Sequence, residues 1–447
     1  MIRALVSAFT IPELRKRLLF TLGLLAIYEM GTYVPAPGIN GIALRQFFDD
    51  IARARGGTLF DVMDLFTGGA MGRATVFALG IMPYVTSSII LQLLTAAIPS
   101  LKELAKEELG RRTVLQYTRY GTVVLAFLQS FFIALWLENP DSFGGRQIVQ
   151  FPGWKFRLLT ALTLTSGTAF IMWLGEQISE RGIGNGISLL ITASIVSRIP
   201  TAVRQLYLLL SPLQVGEAQL SILKLGVMIV VLLAVVAAIV LLTEGQRRIP
   251  VQSARRIVGR KVYGGQSSYI PLRINQVGVI PIIFAQSILL VPTTLATLVP
   301  SDRFRALTES FLRGNVWYIV AYALLIIFFC YFYAAITFDP LDVSENMKKS
   351  GSFIPGIRPG RPTAEYFDAI LTRVTFVGAI ALAVVAVFPD VIHSWMKVPY
   401  LVASFFGGTG LLIVVGVVLD TMKQLESHLL MRHYEGFLRS GRLRGRR

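Results

Sequence analysis

The sequence predicts an all-α membrane protein that crosses a bilayer about ten times. Three observations carry this. Of the 447 residues, 54% are hydrophobic and 15% charged, and the mean hydropathy is +0.62. A soluble domain of that length needs more charge on its surface. Apolar runs of spanning length also recur from end to end. Residues 225–242 read LGVMIVVLLAVVAAIVLL, without one charge. At about 1.5 Å per residue, such a helix nearly covers a hydrocarbon core of roughly 30 Å. Lastly, lysine and arginine are unevenly divided between alternate connections, as orientation in a membrane requires.

The runs place spans at about 18–34, 74–96, 114–137, 156–175, 184–201, 221–242, 274–298, 316–338, 369–389 and 400–422. With the N-terminus inside, the inner connections hold 29 Lys and Arg and the outer ones 14. That bias fits ten spans with both termini on the inner side. Arg3, Arg15, Lys16 and Arg17 precede the first run, and no small-residue cleavage site follows it, so no cleavable signal peptide is expected. The single cysteine, Cys330, has no internal disulfide partner.

Two connections depart from ordinary loops. Residues 58–73, TLFDVMDLFTGGAMGR, are amphipathic, carry Asp61 and Asp64, and end on Gly68-Gly69. They are too short and acidic to span. A re-entrant helix lined by protein or water and a plain surface helix both fit. Segments 243–273 and 339–368 are long and basic, and loops of this length are usually functional or disordered. Ile249, Val251, Val262 and Tyr263 alternate with polar residues around Gly264-Gly265, which predicts a β-hairpin. Pro355-Gly356 and Pro359-Gly360 flank Arg358 and predict an exposed, non-helical tip.

Several function classes find no support. The glycines of 182–186 do not form GxGxxG, and no Walker motif occurs. His393, His428 and His433 lie outside the spans without ligand-spaced partners, so no metal or cofactor is expected. Apart from Glu29 and Asp420, the spans are almost free of charge, which counts against an ion-coupled transporter. They do contain scattered amides and hydroxyls, among them Thr86, Ser87, Gln92, Gln129 and Gln286. Pro83, Pro281 and Pro292 predict kinks. Five spans followed by five fit an inverted repeat.

Eight strings, in order, carry a resemblance. They are PAPGI (35–39), GGAMGRATVFALGIMPYVTSSIILQLL (68–94), GRRTVLQYTRYGT (110–122), WLGEQISERGIGNGIS (173–188), EGQRRIPV (244–251), INQVGVIPIIFAQS (274–287), NMKKSGSFIPGIRPG (346–360) and GGTGLLIVV (407–415). Together they resemble the bacterial SecY family, the channel-forming subunits of the Sec protein translocase, from about residue 11 to 440.

The resemblance implies a passive channel, not an enzyme. Its halves would be residues 1–205 and 206–424, with a basic tail at 425–447. Unfolded secretory polypeptides would pass an apolar ring of Ile81, Val85, Ile187, Ile191, Ile283 and Ile413. The i, i+4 spacing of 81/85 and of 187/191 puts each pair on one helix face. A plug at about 58–72, including Asp61, Met63, Asp64, Phe66, Gly68 and Gly69, would close the resting pore. A lateral gate between spans 2 and 3 and spans 7 and 8 would involve Thr86, Gln92, Gln129 and Gln286, and release membrane segments to lipid. Arg247, Arg248, Arg255, Arg256 and Arg358 would dock the SecA motor ATPase or the ribosome, including its RNA. The resemblance further implies SecE and SecG subunits, signal peptides and nascent chains as partners, and the bacterial inner membrane, with cytoplasmic termini.

Overall fold

The computed structural model describes residues 9–44, 46–47, 64, 66–143, 145–210, 222–253, 256–258, 261–263, 267–276, 278–298, 316–396, 398 and 400–440. The helices of the first part are α1 (Pro12–Gly31), α2 (Met82–Ala97), α3 (Pro99–Lys106), α4 (Glu108–Glu138), α5 (Trp154–Arg181), α6 (Gly186–Ser197) and α7 (Ile199–Leu210). Helix α8 (Ile222–Glu244) leads into strands β1 (Gln246–Ser253), β2 (Arg256–Val258), β3 (Lys261–Tyr263) and β4 (Ser267–Arg273). Then follow α9 (Ile280–Leu298), α10 (Val316–Thr337), α11 (Pro340–Lys349), β5 (Ser352–Phe353), α12 (Arg361–Met396), α13 (Tyr400–Phe405) and α14 (Gly408–Ser440).

A helix stands at each of the ten predicted spans. Among the described residues, seven helices are long and apolar enough to cross a membrane, or eight if α2 and α3 count as one span bent by 110°. Helices α1 and α9 stand at predicted spans outside that set. The surface agrees with a hydrocarbon solvent. Only 11% of the most apolar window of α8 is buried, and Val230, Leu233 and Leu241 are exposed. Lipid can cover such residues; water would not.

The structure corrects several boundaries. Residues 74–81, predicted as the start of a span, are turns, and the helix begins at Met82. Gly68, Gly69, Ala74 and Gly80 have φ of +66, +86, +48 and +57°, outside the helical region. Pro83 and Pro281 stand in the first turns of α2 and α9, where proline's missing N–H is unneeded, so they start helices rather than kink them. Pro292 falls within the range of α9, and Pro389 lies inside α12. The tenth span is broken. Helix α13 ends at Phe405 and α14 starts at Gly408, whose φ is +84°. A Cβ there would strike the Pro389 ring.

Close backbone approach also joins α5 to α6. A Cβ on Gly186 would overlap the carbonyl oxygen of Gly175. Neither backbone can yield without dragging a helix. Gly186→Val is therefore expected to destabilise the protein by more than about 3 kcal/mol. The check is the fraction of monodisperse protein recovered in detergent; recovery equal to the parent's would refute it.

The basic connections fold together. Strand β1 pairs antiparallel with β4 from Gln246↔Arg273 to Gln252↔Ser267, and with β5 at Gln252↔Phe353 and Ser253↔Ser352. An antiparallel hairpin pairing is present, and Gly264-Gly265 lie outside the described residues. Strands β2 and β3 pair antiparallel from Arg256↔Tyr263 to Val258↔Lys261. Ile249, Val251 and Leu272 pack with Met347, Ile354, Phe367 and Ile370 in one small core. Helix α11 is an element the sequence reading lacked. Asp339 caps it, its carboxylate accepting from the Leu341 and Asp342 N–H groups.

Candidate functional site

The site grows from how two groups of helices meet. Helices α1, α2, α4, α5 and α6 pack on one another; α8, α9, α10, α12 and α14 do likewise. The groups touch where α9 meets α2 and α4 and where α14 meets α6. Four of these helices, or the residues just before them, carry the six predicted ring positions. Ile81 caps α2 and Val85 lies in its first turn; Ile187 and Ile191 lie on α6, Ile283 on α9 and Ile413 on α14.

All six join one apolar cluster. Ile81, Val85, Ile191, Ile283 and Ile413 are buried members, 1–9% exposed, and Ile187 packs against them partly buried. No side chain among the six has a hydrogen-bonding group. A collar of branched aliphatics holds water poorly, so it resists ions, and it offers no fixed partner to a particular passing side chain.

Residues 66–81 lead into α2. Phe66, Ala70 and Phe77 belong to the same cluster. Asp64 and Phe66 are helical and 67–81 run mainly as turns held by short bonds, while 58–63 and 65 of the predicted helix lie outside the described residues. The Gly69 N–H donates to the Asp64 carbonyl at 2.8 Å and the Thr75 N–H to the Ala70 carbonyl at 3.0 Å. The Gly72 N–H donates to Asp64 Oδ1 at 2.8 Å. Gly68 approaches α6, where a Cβ would stand 3.0 Å from Ser197 Oγ. Asp61 and Met63 lie outside the described residues.

The predicted gate polar groups lie on α2, α4 and α9. Their bonds stay within their own helix groups. Thr86 Oγ1 donates to the Met82 carbonyl, and Gln92 Nε2 to Ser88 Oγ at 3.0 Å. Buried Gln286 Nε2 donates to Thr409 Oγ1 at 3.2 Å, joining α9 to α14. Gln129 is partly buried on α4. Ser87 Oγ donates to the Thr118 carbonyl at 2.8 Å and fastens α2 to α4.

Basic residues gather on the sheet. Arg247 and Arg248 are exposed on β1, with the Arg248 guanidinium 5.8 Å from the centre of the Tyr269 ring. Arg358 is exposed on the tip before α12. Arg255 and the side chain of Arg256 lie outside the described residues. Sequence reasoning missed the partner of Asp64: Arg198, at the end of α6, 2.6 Å away. Arg198 reads only as an outer-loop charge, and nothing in its spacing pairs it with residue 64.

The family model named SecY matches residues 75–422. The chain belongs to the SecY family. The protein translocase subunit SecY of Thermotoga maritima is 44% identical over 450 residues, spanning 100% of both chains. That of Escherichia coli K12 is 44% identical over 438 residues, 97% of this chain and 96% of the other. Among solved structures, one described as a protein conducting channel superposes with a TM-score of 0.61 at 18% identity, over 92% of this chain and 91% of that one. Sec61 in a canine ribosome-channel complex gives 0.58 at 16% identity, over 92% and 91%. At such identities these two likenesses speak for the fold. As a SecY-family chain with this many apolar helices, the protein is a multi-pass membrane protein.

Proposed function

We propose that the chain is the protein-conducting subunit of a Sec translocase, a passive channel and not an enzyme. One observation supports the reading: the six aliphatic ring positions, spread over more than 300 residues of sequence, all belong to or pack against one apolar cluster that draws on both helix groups. An unfolded polypeptide passes through that collar, which closes around it without side-chain preference. The plug at about 58–72 seals it at rest. Apolar segments of the client leave between α9 and α2/α4 into lipid, with Thr86, Gln92, Gln129 and Gln286 lining the exit.

The halves are residues 1–205 and 206–424, followed by the basic tail at 425–447. Energy comes from a partner: a SecA-type motor ATPase, or the ribosome with its RNA. Arg247, Arg248, Arg255, Arg256 and Arg358 receive it, because guanidinium pairs with both carboxylate and phosphate. The ribosome-bound channels with this fold support the ribosome as a partner of the family. SecE and SecG complete the complex. The 29 to 14 division of basic residues supports an inner bacterial membrane orientation with both termini cytoplasmic.

Site-specific photocross-linking tests the path. A photoreactive residue at position 191 or 413 is expected to capture a stalled secretory chain, while one at lipid-exposed Leu233 captures lipid alone. Capture of lipid or neighbouring helices alone at both collar positions would remove the pore from this cluster.

A further inference from the structure

Asp64 and Arg198 form a short ion pair. Asp64 Oδ2 lies 2.6 Å from Arg198 Nη2, and the two side chains are 16% and 17% exposed. The other carboxylate oxygen holds the Gly72 N–H. One side chain thus closes the loop 64–72 on itself and fastens it to the C-terminal cap of α6.

The fit around the pair is close. A Cβ on Gly69 would stand 2.8 Å from Arg198 Nη1 and 3.5 Å from Arg73 Nη2. Two guanidinium groups therefore flank Gly69, and Arg73 Nη1 and Arg198 Nε are buried without hydrogen-bond partners. Donors held this way are destabilising unless a nearby acceptor offsets them. Asp64 is that acceptor for Arg198.

We propose that the Asp64–Arg198 pair is the latch that holds residues 64–72 seated against the apolar collar and so sets how often the resting channel opens. The proposal rests on the sealing role given above to that segment. Phe66 and Ala70 of the segment belong to the same apolar cluster as the ring positions, and apolar packing of that kind is non-directional. The ion pair is short, directional and shielded from salt screening. Losing one partner leaves the other charge part-buried in the seated state, whereas water hydrates both once the segment swings away. The pair thus shifts the equilibrium between seated and open states without touching the passing chain. Arg198 is a positioning residue.

The test is the resting conductance of planar bilayers holding the full-length chain in its native complex. Arg198→Ala and Asp64→Asn are each expected to raise it about tenfold; Asn keeps an oxygen for the Gly72 N–H and loses only the charge. Arg198→Lys is expected to stay within about threefold of the parent. The double variant D64N/R198A should leak no more than either single one, because both remove the same interaction. A channel lacking residues 64–70 serves as reference. If that deletion leaks while the single variants match the parent, the latch is overturned and the seal stands. If the deletion is as tight as the parent, the sealing role falls, and the latch with it. Additive leaks in the double variant would also overturn the pair.

Discussion

Replacing Ile191 and Ile413 together by serine is expected to raise resting ion conductance at least tenfold, with protein still recovered in the membrane. The two residues are 2% and 1% exposed, on helices α6 and α14, which pack against each other across the two groups. Each loss gives up about 1.5–3 kcal/mol of apolar burial. It also introduces a hydroxyl that can hold water in the collar. The helices stay inserted, because hydrocarbon around spans such as α8 holds them, not the collar. Each serine hydroxyl can bond back to a carbonyl one turn earlier in its own helix, as Ser194 and Thr421 do in the same two helices. Conductance equal to the parent's in a folded double variant would show that the collar does not seal. A smaller rise for Ile187→Ser, at the partly buried position, would match its place at the edge of the cluster.

What the sequence revealed follows from which forces act locally. Span positions were legible because burial in lipid is a one-dimensional property: a run of apolar residues suffices, whatever it packs against. Helix starts were less so. The stretch 74–81 is apolar enough to be counted as span, yet it turns, because Ala74 and Gly80 adopt left-handed backbone. Asp339 before Pro340 is a capping signal for α11 that length-based span reading passed over. The paired strands showed in alternating residues, but the register came from tertiary packing of Ile249 and Val251 on α12. For the site, the i, i+4 pairs 81/85 and 187/191 were visible on single helices. Bringing them to Ile283 and Ile413 took the meeting of distant helices, and only the resemblance supplied that in advance. The Asp64–Arg198 pair was illegible for the same reason: ion pairs leave no periodicity when the partners are 134 residues apart.

The second large effect lies at the other end of the channel's work. Arg358→Glu is expected to lower partner-driven transport about thirtyfold or more. The tip that carries it is fixed by backbone, not by this side chain. Gly356 and Gly360 take φ of +82 and +101°. Thr363 Oγ1 donates to the Arg358 carbonyl at 2.8 Å, and Ser344 Oγ to the Gly360 carbonyl at 2.6 Å, so α11 and α12 both grip the turn. Reversing the exposed charge therefore leaves the fold intact and changes the local charge by two. An arginine anchor at an interface is commonly worth at least ~2 kcal/mol, a factor of about thirty. Arg361, three residues on, is the control. Its side chain is 87% exposed and pairs with Glu365 one helical turn away at 3.5 Å. Such a solvated pair is worth under about 1 kcal/mol, so Arg361→Glu should change transport less than fivefold. Transport unchanged by Arg358→Glu would take this residue out of the docking surface. An equal loss from Arg361→Glu would mean that the partner responds to the net charge of this face, and that the rigid tip gives Arg358 no special role.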